Sequence, residues 1–301
     1  MDRPEVISPP LQEKKSPFFS SRRGLVLTLA FLTLLCLAGI LLFRHFHPEQ
    51  SRDAVLYIHL IGRWHQEGFA GIIRAWTTFW LPPLYFYLSH LLMCLGLSAE
   101  SAGLFLSMTC GAALPLVAFG IAFEILQRKD IALGAALLTA VNPNVIELAC
   151  CVQRDIPYLF FAGLVLYFFI AGIQREKWFF CLLAGVFCAA SLFMRFEALE
   201  FIPLVVLYGL IALLRKQGKW YGILRNTAIF FAGLFLAIAA FLWCMEDSAD
   251  MGMMKMYRRY IEGKYSILLQ RNKARRGISP EKSAPKKANG TKGSDAGRRQ
   301  K

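Results

Sequence analysis

Apolar residues along this chain come in long runs separated by short polar clusters, and most of the runs have the length of a membrane-crossing helix. The run from Gly24 to Phe43, GLVLTLAFLTLLCLAGILLF, can cross about 30 Å of hydrocarbon and follows Lys14, Lys15, Arg22 and Arg23. No small-x-small cleavage pattern follows it, so it is expected to stay as an anchor. Further spanning helices are expected over residues 102–126, 131–149, 156–173, 178–194, 198–214 and 226–244. The run at 81–97 is shorter, opens with Pro82-Pro83 and carries His90. Its pattern fits both a full crossing and a helix dipping into one leaflet.

Charge separates the two. If 81–97 does not cross, the loops Gln127-Arg128-Lys129, Gln174-Arg175-Glu176-Lys177 and 215–225 all join the basic N-terminus (1–23) in the cytoplasm, as the positive-inside rule requires. Asp53, Asp155, Glu197 and Glu200 then lie together on the extracytoplasmic side. The expectation is an all-α, polytopic integral membrane protein, multi-pass in the plasma membrane. It has about seven transmembrane helices over 24–244 and an interfacial outer loop at 44–101.

Composition agrees: at 56% hydrophobic the chain is too apolar for an ordinary soluble domain. The net charge of +14 does not indicate a nucleic-acid module, because residues 245–301 hold 15 Lys/Arg against 6 Asp/Glu, +9 of that total. Residues 245–276 are read as a basic extracytoplasmic segment, including a Tyr257-Arg258-Arg259-Tyr260 run, and 277–301 as a disordered basic tail. The eight cysteines fall in or beside apolar runs and are expected to pack as small apolar residues.

The candidate chemistry sits on the outer side. In the loop, SRDAVLYIHLIGRWHQEGF has helical periodicity: Tyr57, Leu60, Ile61 and Trp64 form an apolar stripe expected to face lipid. Arg52, His59, Arg63 and Gln66 share another face, expected to meet headgroup phosphates. Ser51 is the expected N-cap, so Asp53 either complements the helix N-terminus or presents a carboxylate for proton transfer. Arg154-Asp155 either marks a helix boundary or walls a site. Arg195, Glu197 and Glu200 emerge on the same side, and Asn144 and Glu147 lie nearby along the preceding span. Several costly polar groups at one depth suggest a shared cavity. Of the five histidines (45, 47, 59, 65 and 90), His45-x-His47 or His59 with His65 could ligate a metal, but with no supporting i,i+4 pair or accompanying cysteine read in the sequence, all are expected to be interfacial histidines.

The segments SRDAVLY, LPPLYFYL, QRKD, AVNPNVIELACCVQRDIPYLFFAGLVLY and ASLFMRFEALEFIPL, in that order, resemble the polytopic glycosyltransferases that use polyprenyl-phosphate sugars. That group includes protein O-mannosyltransferases and the lipid A aminoarabinose transferase. The resemblance runs over about residues 22–244 and implies an inverting displacement. In it, Asp53 activates the acceptor, Asp155 is a second essential acid, and Arg154 or Arg195 pairs with the lipid phosphate. Arg52, Glu197 and Tyr57 are further substrate-binding candidates. The implied partners are the membrane, a polyprenyl-phosphate sugar lipid and an unknown lipid, glycan or protein acceptor. No cofactor is implied, and no residue set supports a divalent metal.

Asp53 is followed by Ala54 where many relatives carry an Asp-Glu pair. The chain also ends about where the family continues, which would leave part of the acceptor site to a second membrane subunit. Two rival roles follow: a non-catalytic polyprenyl-lipid carrier or flippase component, and a truncated inactive assembly partner.

Overall fold

The computed structural model describes residues 21–75, 82–214 and 220–246, with side chains described for 21–68, 82–214 and 220–243. The chain divides into two compact units, Met1–Met253 and Met254–Lys301, and every described residue belongs to the first. The basic tail, most of the N-terminal segment and residues 215–219 of the 215–225 loop lie outside the described residues.

Ten α-helices occur among the described residues: α1 Arg22–Phe46, α2 Arg52–Ala75, α3 Leu84–Cys94, α4 Ala99–Leu126, α5 Lys129–Ala140, α6 Pro143–Ala149, α7 Asp155–Gln174, α8 Trp178–Met194, α9 Phe201–Leu214 and α10 Trp220–Glu246. A 3-10 turn at Phe196–Glu200 precedes α9, and no strand occurs among the described residues. Local chemistry sets several of the helix starts. Ser21 accepts from the Gly24 amide at 3.0 Å and Ser98 from the Ser101 amide at 3.2 Å, each satisfying a first-turn donor. The fold is an all-α polytopic membrane protein. Among the described residues five helices are long and apolar enough to cross a bilayer, or six when the bent α5–α6 pair is taken as one span. At 17 residues, α8 reaches about 26 Å. The expected count of seven requires both α8 and the bent pair to cross.

The exterior carries Leu27, Phe31 and Leu34 on α1 and Phe235, Leu236 and Trp243 on α10, all well exposed. An apolar outer surface of this extent suits lipid rather than water.

Two expected spans differ in detail. The 131–149 run is broken at Val141-Asn142 and bends by 51°. Pro143 disfavours helical backbone in the residue before it and then starts a new helix, whose N-cap Asn142 accepts from the Asn144 amide at 2.9 Å. The last helix begins at Trp220, six residues before the expected 226.

Two apolar clusters pack among the described residues. Cys36, Ile40, Cys110, Leu114, Ala149 and Ile156 join α1, α4 and α6 to the start of α7. Val165, Phe169, Cys188, Phe193 and Phe230 join α7, α8 and α10. The expected packing role of the cysteines holds at 36, 110, 150, 181 and 188, all buried thiols.

A polar group ties one end of the bundle. Gln127 Nε2 donates to Gln174 Oε1 at 3.5 Å, Arg175 pairs with Glu124, and Asn226 Nδ2 donates to the Gly172 carbonyl at 3.1 Å. Glu124 is only 2% exposed, whereas Arg175 is largely open to solvent. Removing the cation strands a buried carboxylate, so Arg175→Ala should destabilise the protein by about 2 kcal/mol, below the value for a fully buried pair because water can reach the site. Adding Glu124→Gln should recover most of that loss, and thermal unfolding of the detergent-solubilised proteins reads both. Single and double variants of equal stability would show that the pair carries no such role.

Candidate functional site

The opposite end is built around the loop that leaves α1 and returns to α4. Arg44, in the last turn of α1, pairs with Glu100, in the first turn of α4, at 2.8 Å. The two ends of the 44–101 loop therefore meet, and the segment between them makes no net crossing. Helix α3 within it is 11 residues, about 16 Å, well short of the hydrocarbon thickness. Tyr85 and Phe86 on α3 are fully buried, and the Tyr85 hydroxyl donates to the Gly103 carbonyl of α4 at 3.2 Å.

The apolar stripe of α2 does not face lipid as expected. Leu60 and Ile61 are fully buried and Trp64 nearly so, while Tyr57 packs against Tyr85 and Phe86 at centroid distances of 6.1 and 5.8 Å. The proline-led helix supplies an aromatic partner for that stripe, and burial against protein replaces burial in lipid. Tyr57 is consequently a packing residue, 8% exposed. The helix periodicity is interrupted at Gly68, whose φ of 66° and ψ of −162° take the backbone out of the helix.

Hydrogen bonds fasten the start of α2 to the turn before α7. Ser51 caps α2 through the Ala54 amide at 3.1 Å and also accepts from Gln153 Nε2 at 2.9 Å. Gln50 accepts from the Val152 amide at 3.3 Å and donates to Glu100 at 3.2 Å. Ser107 on α4 donates to the Gln153 carbonyl at 2.9 Å. Ser51 lies two residues before Asp53, and Gln153 two before Asp155, so the Ser51–Gln153 bond brings these two segments together. Arg52 and Asp53 stand exposed in the first turn of α2.

Around Asp155 the charges converge. Arg195, at the C-terminus of α8, is ion-paired with Asp155 through Nη1 and holds Glu197 through Nε at 3.3 Å and Nη2 at 3.0 Å. The two carboxylates occupy all three guanidinium nitrogens, Glu197 by hydrogen bonds from Nε and Nη2 and Asp155 by an ion pair at Nη1. The Arg195 Cζ lies 5.6 Å from the centroid of the Tyr158 ring, one helical turn into α7. Arg195 and Asp155 are each a little over a quarter exposed, so the pair is reachable from water. Arg154, half-buried at the N-cap of α7, lies within electrostatic reach of Glu197. Glu200 is exposed on the same 3-10 turn, while Asn144 and Glu147 are exposed on α6.

Helix α7 carries Asp155 at its start and meets the Gln127–Arg175 group at its finish, about 30 Å away over 20 residues. The acidic cluster and the basic loops thus occupy opposite ends of the bundle. Gln50, Gln153, Glu100 and Tyr158 went unnoticed in the sequence, because bonds such as Ser51–Gln153 span about a hundred residues and leave no local pattern.

Residues 81–244 match the family described as dolichyl-phosphate-mannose-protein mannosyltransferase, a stretch that includes Arg154, Asp155, Arg195 and Glu197 and leaves Asp53 outside. Among curated proteins none matches the chain.

Proposed function

Since the chain belongs to the dolichyl-phosphate-mannose-protein mannosyltransferase family, we propose that it moves a sugar from a polyprenyl-phosphate donor to an acceptor hydroxyl on the extracytoplasmic face of the plasma membrane. The observation that carries this reading is the half-open Asp155–Arg195–Glu197 cluster, joined through the Ser51–Gln153 bond to the turn that presents Asp53. The side follows from charge: the basic loops are at the other end of the bundle, and basic loops stay in the cytoplasm.

In the proposed reaction the acceptor oxygen bonds to the anomeric carbon as the bond from that carbon to the phosphate oxygen breaks, with inversion. Asp53 takes the acceptor proton. Arg154 and Arg195 stabilise the charge gathering on the departing polyprenyl phosphate, for which a guanidinium has matching geometry. Asp155 and Glu197 fix Arg195 in place. Arg52 on the exposed first turn of α2 meets the headgroup. The catalytic domain comprises residues 24–244.

Incubating the purified protein with labelled polyprenyl-phosphate sugars and a lipid extract tests the reading. Wild type should release label from one donor, and Asp53→Asn should lower that rate by about a hundredfold, equivalent to about 2.7 kcal/mol of transition-state stabilisation. A second reading, a non-catalytic lipid carrier, rests on Asp155 already being neutralised by Arg195. Tight donor binding with no transfer from any donor would replace the first reading by the second.

A further inference from the structure

Away from the acidic cluster, three metal-ligating side chains converge between α2 and α3. His90 and Cys94 are an i,i+4 pair on one face of α3, and His65 reaches them from α2. His65 Nδ1 lies 3.2 Å from His90 Nδ1, with the ring centroids 5.1 Å apart, and Cys94 Sγ lies 3.7 Å from His90 Nε2. One ligand atom from each residue can be chosen so that all fall within 4.8 Å of one another. Tetrahedral zinc, with Zn–N near 2.0–2.1 Å and Zn–S near 2.3 Å, places its ligand atoms about 3.3–3.6 Å apart, so small side-chain rotations close the set. His59 stands on another part of α2, His47 stacks on Phe43 at 4.5 Å, and His45 packs edge-on against Phe46. The pairs first considered from the sequence are therefore not the ones that meet.

We propose that His65, His90 and Cys94 form a binding site for a borderline-soft divalent cation of the zinc class, clamping α2 to α3. Binding takes the cysteine as thiolate, releases its proton and leaves a fourth coordination position open to water. The site lies 12 residues beyond Asp53 along α2, about 18 Å of helix, so it braces the outer loop and takes no part at the proposed reaction centre. It does not depend on the transferase reading, because its test measures no transfer.

The test uses the full chain in detergent, stripped with chelator and titrated with Zn2+ or Co2+. Zinc should bind at about one equivalent and protect Cys94 from maleimide, read on the Cys94 peptide by mass spectrometry. Cobalt should give a thiolate charge-transfer band that Cys94→Ser removes. His65→Ala and His90→Ala should each weaken binding by about tenfold or more, whereas His59→Ala should leave it unchanged. Cys94 modified equally fast with and without zinc would overturn the proposal. So would undiminished affinity in His65→Ala, or an equal loss in His59→Ala.

Discussion

Gly185→Leu is expected to prevent α8 and α10 from closing, at a cost of about 4 kcal/mol or more, enough to leave little folded protein. The two helices touch backbone to backbone. A Cβ on Gly185 would run into the Phe230 carbonyl oxygen and come within 2.6 Å of the Leu234 amide nitrogen, and one on Gly233 would run into the Leu182 carbonyl. Neither obstacle is the flexible end of a side chain, so only moving the helices apart relieves the clash. Separation also opens the cluster of Cys181, Ala184, Cys188 and Phe230. In lipid, close approach of small residues is a main source of helix association. Gly185→Ala should cost about 2–3 kcal/mol for the same reason. Gly134 on α5 has open space where its Cβ would go, so Gly134→Ala should be neutral or stabilise by up to about 1 kcal/mol. Thermal unfolding in detergent, followed by the reactivity of Cys181 and Cys188, measures all three. A Gly185→Leu protein melting within about 1 kcal/mol of wild type would refute the close packing.

Arg195→Ala should lower sugar transfer by about a thousandfold, roughly 4 kcal/mol at the transition state. Its guanidinium holds Asp155 and Glu197 together and, in the proposed reaction, faces the departing phosphate. Arg195→Lys should recover little, since one ammonium cannot reproduce a Nε and Nη2 fork on Glu197 together with a Nη1 contact on Asp155. Stability should change by no more than about 1 kcal/mol, because the participants are a quarter to a half exposed and pairs of that kind contribute little. Activity and stability therefore part company in this variant. Transfer at the wild-type rate would reduce Arg154-Asp155 and Arg195 to a helix-boundary ion pair, the other role their sequence position allows.

What the sequence by itself determined is the part governed by run length and charge. An apolar run of about 20 residues has few alternatives to a spanning helix, and so α1, α4, α7 and α10 were legible. Pro82-Pro83 and the basic loops pointed to a short α3, and the polar residues at run ends identified Asp155, Arg195 and Glu197 as candidates. The cap at Ser51 was legible too, because a first-turn bond is local.

Tertiary structure decided whatever depends on a partner distant in the chain. An amphipathic stripe shows that Tyr57, Leu60, Ile61 and Trp64 need burial but does not name the apolar medium. Here it is protein: Tyr57 packs on Tyr85 and Phe86 of α3 and Trp64 on Tyr87. The Ser51–Gln153 and Arg44–Glu100 contacts join segments about 100 and 56 residues apart, at a separation where periodicity carries no information. The bend at Val141-Asn142 had a local cause in Pro143, yet the apolar stretches on both sides of Asn142-Pro143-Asn144 concealed the break. His90 and Cys94 displayed their helical spacing all along, but two ligands do not make a site. The third, His65, arrives only because the stripe of α2 packs down on α3.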